Sequence, residues 1–387
     1  MSDIQSPFEF NRQMLDCVVG GVSALDIPRL NIENRDQARS FINAYGYDIL
    51  DPVQAELLWS IYRRSVSLIR EQLLDPGEVI PPTLADSAKL VDLSELLIQA
   101  SSQKPEDREL QRWACAILRV MHVFVHLRND LFSAFRDEIQ TQILSPLQSA
   151  LAEDEAGTMI LGPSADDGGT RLHKFEIKPF KTTASSVIKL LARPERVALT
   201  LLDKLGVRFV TRNAFDSFRV IRFLFENHIL SYPHIIPDQS NNTLYPVNLF
   251  MEVMEELKSR KPVSSAGQLQ GKVDGKVEDQ LAKEIQKLLK MRLDGEPSRA
   301  QYRLKSNEFS DPDYRFIKFI NRKLVTVTIG ASDSQRAFKF FYPYEIQVMD
   351  QDTFIRNLSG PMAHDEYKNR QRRKARDRVL RETPEHA

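Results

Sequence analysis

The stretch that decides the fold is Leu202-Asp203-Lys204-Leu205-Gly206-Val207-Arg208-Phe209-Val210, followed by Asp216-Ser217-Phe218-Arg219-Val220. Residues 204–211 read as an apolar strand entering a turn. Residues 216–228 read as a helix with Phe218, Ile221 and Phe225 on one face. Asp203 stands directly before the strand, and Arg208 lies inside it. Upstream, Leu172 to Pro179 alternates polar and apolar residues as a strand does. Thr182 then stands where a helix N-cap is expected for 182–191. Downstream, 314–329 and 337–349 are β-rich and joined by a loop at 330–334, which predicts a hairpin. The order β-α-β-α-β-β implies an α/β domain with a mixed sheet flanked by helices.

The rest of the chain differs in texture. Residues 10–150 read as five or six helices, clearest over 109–144. There Leu110, Trp113, Ala114, Ile117, Leu118, Met121 and Val125 recur at three-to-four spacing. Pro81, Pro82 and Pro105 punctuate this segment. Residues 152–170 are rich in Asp, Glu and Gly and read as an acidic linker. A polar insert at 258–300 carries one short amphipathic helix through Leu281, Ile285, Leu288 and Leu289. The end is a basic run with Arg370, Arg372, Arg373, Lys374, Arg376, Arg378 and Arg381. The reading is therefore an all-helical domain over 1–151, a linker over 152–170, a sheet domain over 171–362, and a basic helix or tail over 363–387.

Composition narrows the function. The 387 residues carry 53 Lys and Arg against 53 Asp and Glu, so a globally electropositive nucleic-acid coat is excluded. Cys17 and Cys115 are too few and too far apart for a disulfide framework and suit a reducing cytoplasm. No apolar run approaches the roughly 20 residues of a membrane helix, and the N-terminus lacks a signal-peptide layout. A soluble cytoplasmic protein is expected. A Gly-rich phosphate loop, a His-Glu-x-x-His helix and Gly-x-Ser-x-Gly are all missing from the sequence.

What remains is polar residues inside β segments. Glu345 sits in Tyr344-Glu345-Ile346-Gln347-Val348, and a period of two puts Glu345 and Gln347 on the face opposite Ile346 and Val348. Two carboxylates on neighbouring strands can share a hard cation such as Mg²⁺, with phosphate oxygens completing its shell. Lys and Arg beside them would hold phosphate charge. The blander reading of each residue is a turn Asp and a solvent-facing strand Glu.

Taken together, these residues resemble the synthetase domain of the RelA/SpoT family, the alarmone (ppGpp) synthetases of the stringent response. That family is a nucleotidyltransferase-like Mg²⁺-dependent transferase, a GTP pyrophosphokinase that moves pyrophosphate from ATP to the 3′-hydroxyl of GDP or GTP. The segment 202–210 with 216–220 is similar to its Asp-x-x-(Gly/Ala)-x-Arg strand and Asp-x-(Tyr/Phe)-x-Val helix. Tyr344-Glu345-Ile346-Gln347 is similar to its Glu-Ile-Gln strand. The resemblance implies Asp203 and Glu345 as metal ligands, with Glu345 helping to deprotonate the acceptor. Lys181, Ser185 and Lys189 resemble the spacing of its ATP-phosphate helix, where a spacing of four puts all three on one face. Pro179 stands where the family has Arg, and the resemblance leaves Lys178 beside it as a substitute, a point charge in place of a fork. Asp313, Tyr314 and Lys318 fall where the family has a Gly-Tyr…His stretch, which would make Tyr314 the ring that stacks on guanine. His364 resembles a residue of its closing helix. The resemblance spans about 170–370.

Two further features invite other readings. His122, His126 and Asp130 are four apart on one helix, a spacing that can bind a metal, or the two histidines are simply buried in the helical core. The basic run is either a solvated face or a contact for RNA. The rivals to a pyrophosphokinase are a non-catalytic interaction or regulatory module on the same fold, and an RNA-directed transferase.

Overall fold

The computed structural model describes residues 12–128, 131–163, 169–193, 201–260, 275–304, 314–330, 335–357 and 364–381. In chain order the helices and strands are α1 (Arg12–Val18), α2 (Arg35–Ala44), α3 (Pro52–Gln72), α4 (Pro82–Ala85), α5 (Leu93–Ser101), α6 (Arg108–Arg128), α7 (Arg136–Ser149), β1 (Leu151–Glu153), β2 (Met159–Leu161) and β3 (Thr170–Lys178). They continue with α8 (Thr183–Leu191), β4 (Gly206–Thr211), α9 (Ala214–Glu226), β5 (Asn241–Asn242), α10 (Val247–Arg260), α11 (Gly275–Gly295), β6 (Ile317–Ile329), β7 (Arg336–Asp350), α12 (Gln351–Asn357) and α13 (His364–Val379). The protein is thus mixed α and β with a seven-stranded mixed sheet. The chain divides into two compact units that do not follow linear order. Residues 1–130, 182–201 and 368–387 form the first, and 131–181 with 202–367 the second.

The first unit is helical because its sequence supplies both caps and apolar stripes. Asn34, Asp51 and Asp92 each accept a backbone N–H from the first turn of α2, α3 and α5, satisfying donors that a helix start leaves open. Pro52 at the start of α3 costs nothing, since its missing N–H would have been unpaired there. α6 packs against α3, α5 and α8, burying Trp113, Ala114, Ile117, Val120 and Phe124. The basic run adds a helix to this unit through Ala375, Val379 and Leu380, all buried. Several of its cations are spoken for. Arg378 forms a two-pronged pair with Asp26 at 2.8 and 2.7 Å, and Arg376 lies 2.8 Å from both Asp75 and Glu78. Arg119 donates to the carbonyls of Val379 and Ile27.

The second unit is built on the sheet, in the order β1-β2-β3-β4-β7-β6-β5. β4 and β7 are parallel and every other pair is antiparallel. The expected hairpin is β6–β7, in register from Ile317 opposite Val348 to Ile329 opposite Arg336. One face carries Val207, Phe209, Phe319, Ile346 and Val348, packed with Ile139, Ile143 and Leu147 of α7 and Val220 and Leu224 of α9. The other face holds Val210, Phe316 and Met349 under Phe354 of α12, and it is the face that also carries Arg208, Glu345 and Gln347.

Three expectations change. The stretch read as an acidic linker holds β1 and β2, a hairpin whose turn is tied by Asp154, which accepts the N–H groups of Ala156 and Thr158. Turn chemistry and linker composition share the same residues, so composition alone does not separate them. α7, expected within the helical domain of 1–151, belongs to the sheet unit. The helix in the insert is 21 residues long, starting at Gly275 in what reads as a flexible segment. It packs on α10 through Leu249, Val253, Ile285 and Leu289, while Arg292 pairs with Glu252, Glu256 and Glu296.

Candidate functional site

The site follows from strand register. Lys178 of β3 lies opposite Gly206 of β4, and Gly206 lies opposite Glu345 of β7. One step along, Glu176, Arg208, Gln347 and Lys318 form a second row across β3, β4, β7 and β6. The Glu345 N–H donates to the Leu205 carbonyl at 2.9 Å, which draws the start of β4 against β7. A Cβ on Gly206 would lie 3.0 Å from both the Cβ and the carbonyl oxygen of Glu345. Only glycine fits that approach without a shift.

The side chains of these rows form one network. Lys178 Nζ donates to Glu345 Oε1 at 2.8 Å and to Gln347 Oε1 at 2.5 Å. Arg208 Nε donates to the same Gln347 oxygen at 3.0 Å, and its Nη1 donates to Glu176 Oε2 at 2.9 Å. Lys174 reaches Glu176 at 2.7 Å. Gln347 Nε2 donates to the Tyr314 hydroxyl at 3.0 Å, which leaves the amide one consistent orientation. Lys318 Nζ stands 3.6 Å from Glu345 Oε2. Lys181 Nζ pairs with Asp203 Oδ2 at 2.6 Å.

Burial and charge pull against each other here. Burial alone would raise the Glu345 carboxyl, and Asp203 pushes the same way. Lys178 and Lys318 outweigh both and hold it well below the ordinary carboxylate range. Burial pulls the Lys178 ammonium below the usual lysine value, with Glu345 opposing. Burial would also raise Glu176, but its bonds to Lys174 and Arg208 lower it overall. Burial raises the Tyr314 phenol.

Eight expected site residues lie in the sheet unit: Lys181, Asp203, Arg208, Tyr314, Lys318, Glu345, Gln347 and His364. Ser185 and Lys189 lie on α8 in the helical unit. The expected shared helical face for Lys181, Ser185 and Lys189 does not form. Thr182 caps α8 by accepting the Ser185 N–H, so the helix starts after Lys181, whose own N–H goes to the Lys204 carbonyl. Ser185 is exposed and Lys189 buried. His364 opens α13, and Asp313 lies outside the described residues. Asp216 is a fully buried cap-region residue on α9, bonded to Asn213 and paired with Arg212 and Arg219. Lys174 and Glu176 were not singled out from the sequence. The signal was there: Lys174, Glu176 and Lys178 alternate with Phe175 and Ile177, which places all three on one strand face.

The resembled family implies Mg²⁺, and the donor types at this centre are right: the Asp203 and Glu345 carboxylates and the Gln347 amide oxygen. Their surroundings are not. Both Glu345 oxygens face lysines, Asp203 Oδ2 faces Lys181, and the Gln347 oxygen takes Lys178 and Arg208. Like unit charges 4 Å apart repel by about 4 kcal/mol at the effective dielectric of a protein surface, and a divalent ion doubles that. As arranged, these residues do not fit Mg²⁺. Among the described residues and the pairs named above, five cationic side chains (Lys174, Lys178, Lys181, Arg208, Lys318) meet three carboxylates (Glu176, Asp203, Glu345), a surplus that fits an anion.

In the helical unit, the Tyr45 hydroxyl lies 2.8 Å from His122 Nδ1, and the His122 and His126 rings are 4.4 Å apart. Burial, then the neighbouring His126, lowers the His122 imidazole to about 4, so it is neutral near pH 7. Asp130 lies outside the described residues. Among the described residues, no group of three or more His, Cys, Asp or Glu could hold a metal ion, and no helix is long and apolar enough to cross a membrane.

No protein-family model matches the chain, and no curated protein sequence matches it.

Proposed function

We propose that the sheet unit is a divergent RelA/SpoT-like, nucleotidyltransferase-type domain whose sheet centre binds the phosphates of a nucleotide, ATP or GDP/GTP. The observation that carries this is the surplus of cations over carboxylates across β3, β4, β7 and β6. Arg208 supplies a planar fork suited to phosphate oxygens, and the lysines supply point charges. Tyr314, held by Gln347 and lying beside the Phe316 ring at 4.9 Å, is the candidate platform for a base. On this reading the domain is a nucleotide-responsive interaction or regulatory module.

Pyrophosphate transfer from ATP to GDP or GTP is the second reading. The nearness of the two carboxylates favours it, because the Asp203 charge acts on the Glu345 carboxyl. Against it stands the depressed Glu345 carboxyl, since a general base works best with a pKa near the working pH. An RNA-directed transferase has less support, because Arg376, Arg378 and Arg381 of the basic run are engaged by Asp26, Asp75 and Glu78.

The test is incubation of the full chain with γ-labelled ATP and GDP or GTP in Mg²⁺, with Asp203→Ala alongside, and equilibrium binding of ATP measured on the same samples. Saturable ATP binding without label transfer is the expected result. A phosphorylated guanosine species that disappears in Asp203→Ala would promote the transferase reading. Neither binding nor transfer would overturn both.

A further inference from the structure

We infer that Lys178 is the resident cation of the sheet centre: its ammonium takes the place between the Glu345 carboxylate and the Gln347 amide oxygen that a divalent ion would need. The centre therefore excludes Mg²⁺ and receives its anionic ligand without metal. This depends on the nucleotide reading above only for the identity of the ligand, not for the cation.

The geometry begins with the missing side chain at Gly206. β3 and β7 are not neighbours, because β4 runs between them. Two strand spacings separate them by about 9–10 Å. The row Lys178, Gly206, Glu345 is the one place in the centre where nothing stands on the intervening strand. A lysine on one side and a glutamate on the other together span that gap, and they meet at 2.8 Å. One residue pair further on, Arg208 fills the corresponding position on β4 and bonds both ways instead, to Glu176 on β3 and Gln347 on β7. Gly206 is thus both the point of close strand approach and the window through which Lys178 reaches β7.

The ammonium is held as a metal ion is held, by oxygens from alternate residues of one strand. Glu345 Oε1 lies at 2.8 Å and Gln347 Oε1 at 2.5 Å. The side chain of Glu345 is 11% exposed, and that of Lys178 is 32% exposed. Three further cations face the pair, against the one carboxylate of Asp203. Lys318 approaches the second Glu345 oxygen, Arg208 shares the Gln347 oxygen, and Lys181 offsets Asp203. A divalent ion entering here would have to expel Lys178 from two oxygens and sit among three further cations. An anion meets no such obstacle, and draws on charge already in place.

The inference is tested by titrating Mn²⁺ into the full chain and following the free ion by its paramagnetic resonance signal. Wild type, Lys178→Met, Lys178→Met/Glu345→Gln and Lys178→Arg are compared, each checked for a native-like circular dichroism melt. Wild type and Lys178→Arg should show no stoichiometric site. Lys178→Met should gain one, at least about tenfold tighter than any wild-type binding, the direction expected from deleting a neighbouring unit charge. The double variant should lose it. A stoichiometric wild-type site abolished by Asp203→Asn would overturn the inference, and so would a folded Lys178→Met that gains none. The wild-type arm decides on its own if Lys178→Met does not fold. In parallel, tripolyphosphate is titrated in EDTA. Its failure to bind would contradict the phosphate reading of the centre while leaving the Mn²⁺ result intact, so the two claims separate.

Discussion

Both units tie arginines and lysines into ion pairs and hydrogen bonds, but they use them differently. In the helical unit the buried guanidinium groups of Arg119 and Arg378 are matched to acceptors that belong to the fold. Arg119 takes two backbone carbonyls, and Arg378 takes both oxygens of Asp26 and the carbonyls of Leu190 and Leu191 that close α8. In the sheet unit the cations converge on fewer carboxylates than there are charges to match. A structural arginine is recognised by acceptors that the fold supplies; a binding centre is recognised by charge that the fold gathers without neutralising. The two regions therefore predict different consequences for superficially similar substitutions.

The largest effect is expected in the helical unit. Arg378→Ala leaves Asp26 without its two-pronged partner and opens the end of α8, and breaking a largely buried pair in this way costs about 3–5 kcal/mol. Denaturant unfolding should show that loss, and no loss would mean that the basic run is a solvated face after all.

Gly206→Ala comes next. A methyl group 3.0 Å from Glu345 must push β4 from β7 or shift the Lys178–Glu345 contact, an overpacking cost of about 1–3 kcal/mol. Melting and ATP binding should both suffer. A variant that melts lower but binds normally would detach the glycine from the site.

How much of this was legible in the sequence depended on range. The β6–β7 hairpin, β3, β4, α8 with its Thr182 cap and α9 are local patterns of period two or 3.6, and the sequence carries them openly. Glu345 and Gln347 on one face followed from alternation alone. The hairpin at 151–161 was hidden because a turn built on Asp154 and Gly157 has the composition of a linker. The division into units was hidden because α8 and α13 are placed by packing partners far along the chain. In the sequence Lys178 reads only as a neighbour of Pro179 that could stand in for the family's Arg. Its role depends on a glycine on the next strand and a glutamate on the one beyond, a register no one-dimensional spacing contains.

A smaller effect separates the two regions directly. Lys318→Ala removes one ligand-facing charge without touching the Lys178 bridge, and should weaken ATP or tripolyphosphate binding by about tenfold, or ~1.4 kcal/mol. Arg376→Ala, in the helical unit, should leave that affinity unchanged. Equal losses in both would erase the distinction drawn here.

A last effect is in acid. Glu345 has a folded pKa below its unfolded value of 4.5, so it binds its proton more weakly when folded. Its stabilising contribution is complete above that value and is lost as the pH falls below it. The fall in melting temperature below pH 4.5 should be shallower for Glu345→Gln than for wild type, and parallel curves would deny the ion pair with Lys178.

The central claim is that the sheet centre gathers positive charge for a phosphate ligand and supplies its own cation. Calorimetric titration of ATP into the full chain, once in EDTA and once in Mg²⁺, tests it most directly. The account predicts saturable binding in EDTA, not strengthened by Mg²⁺ and weakened in Lys318→Ala. Binding that appears only with Mg²⁺, or in neither condition, would contradict it.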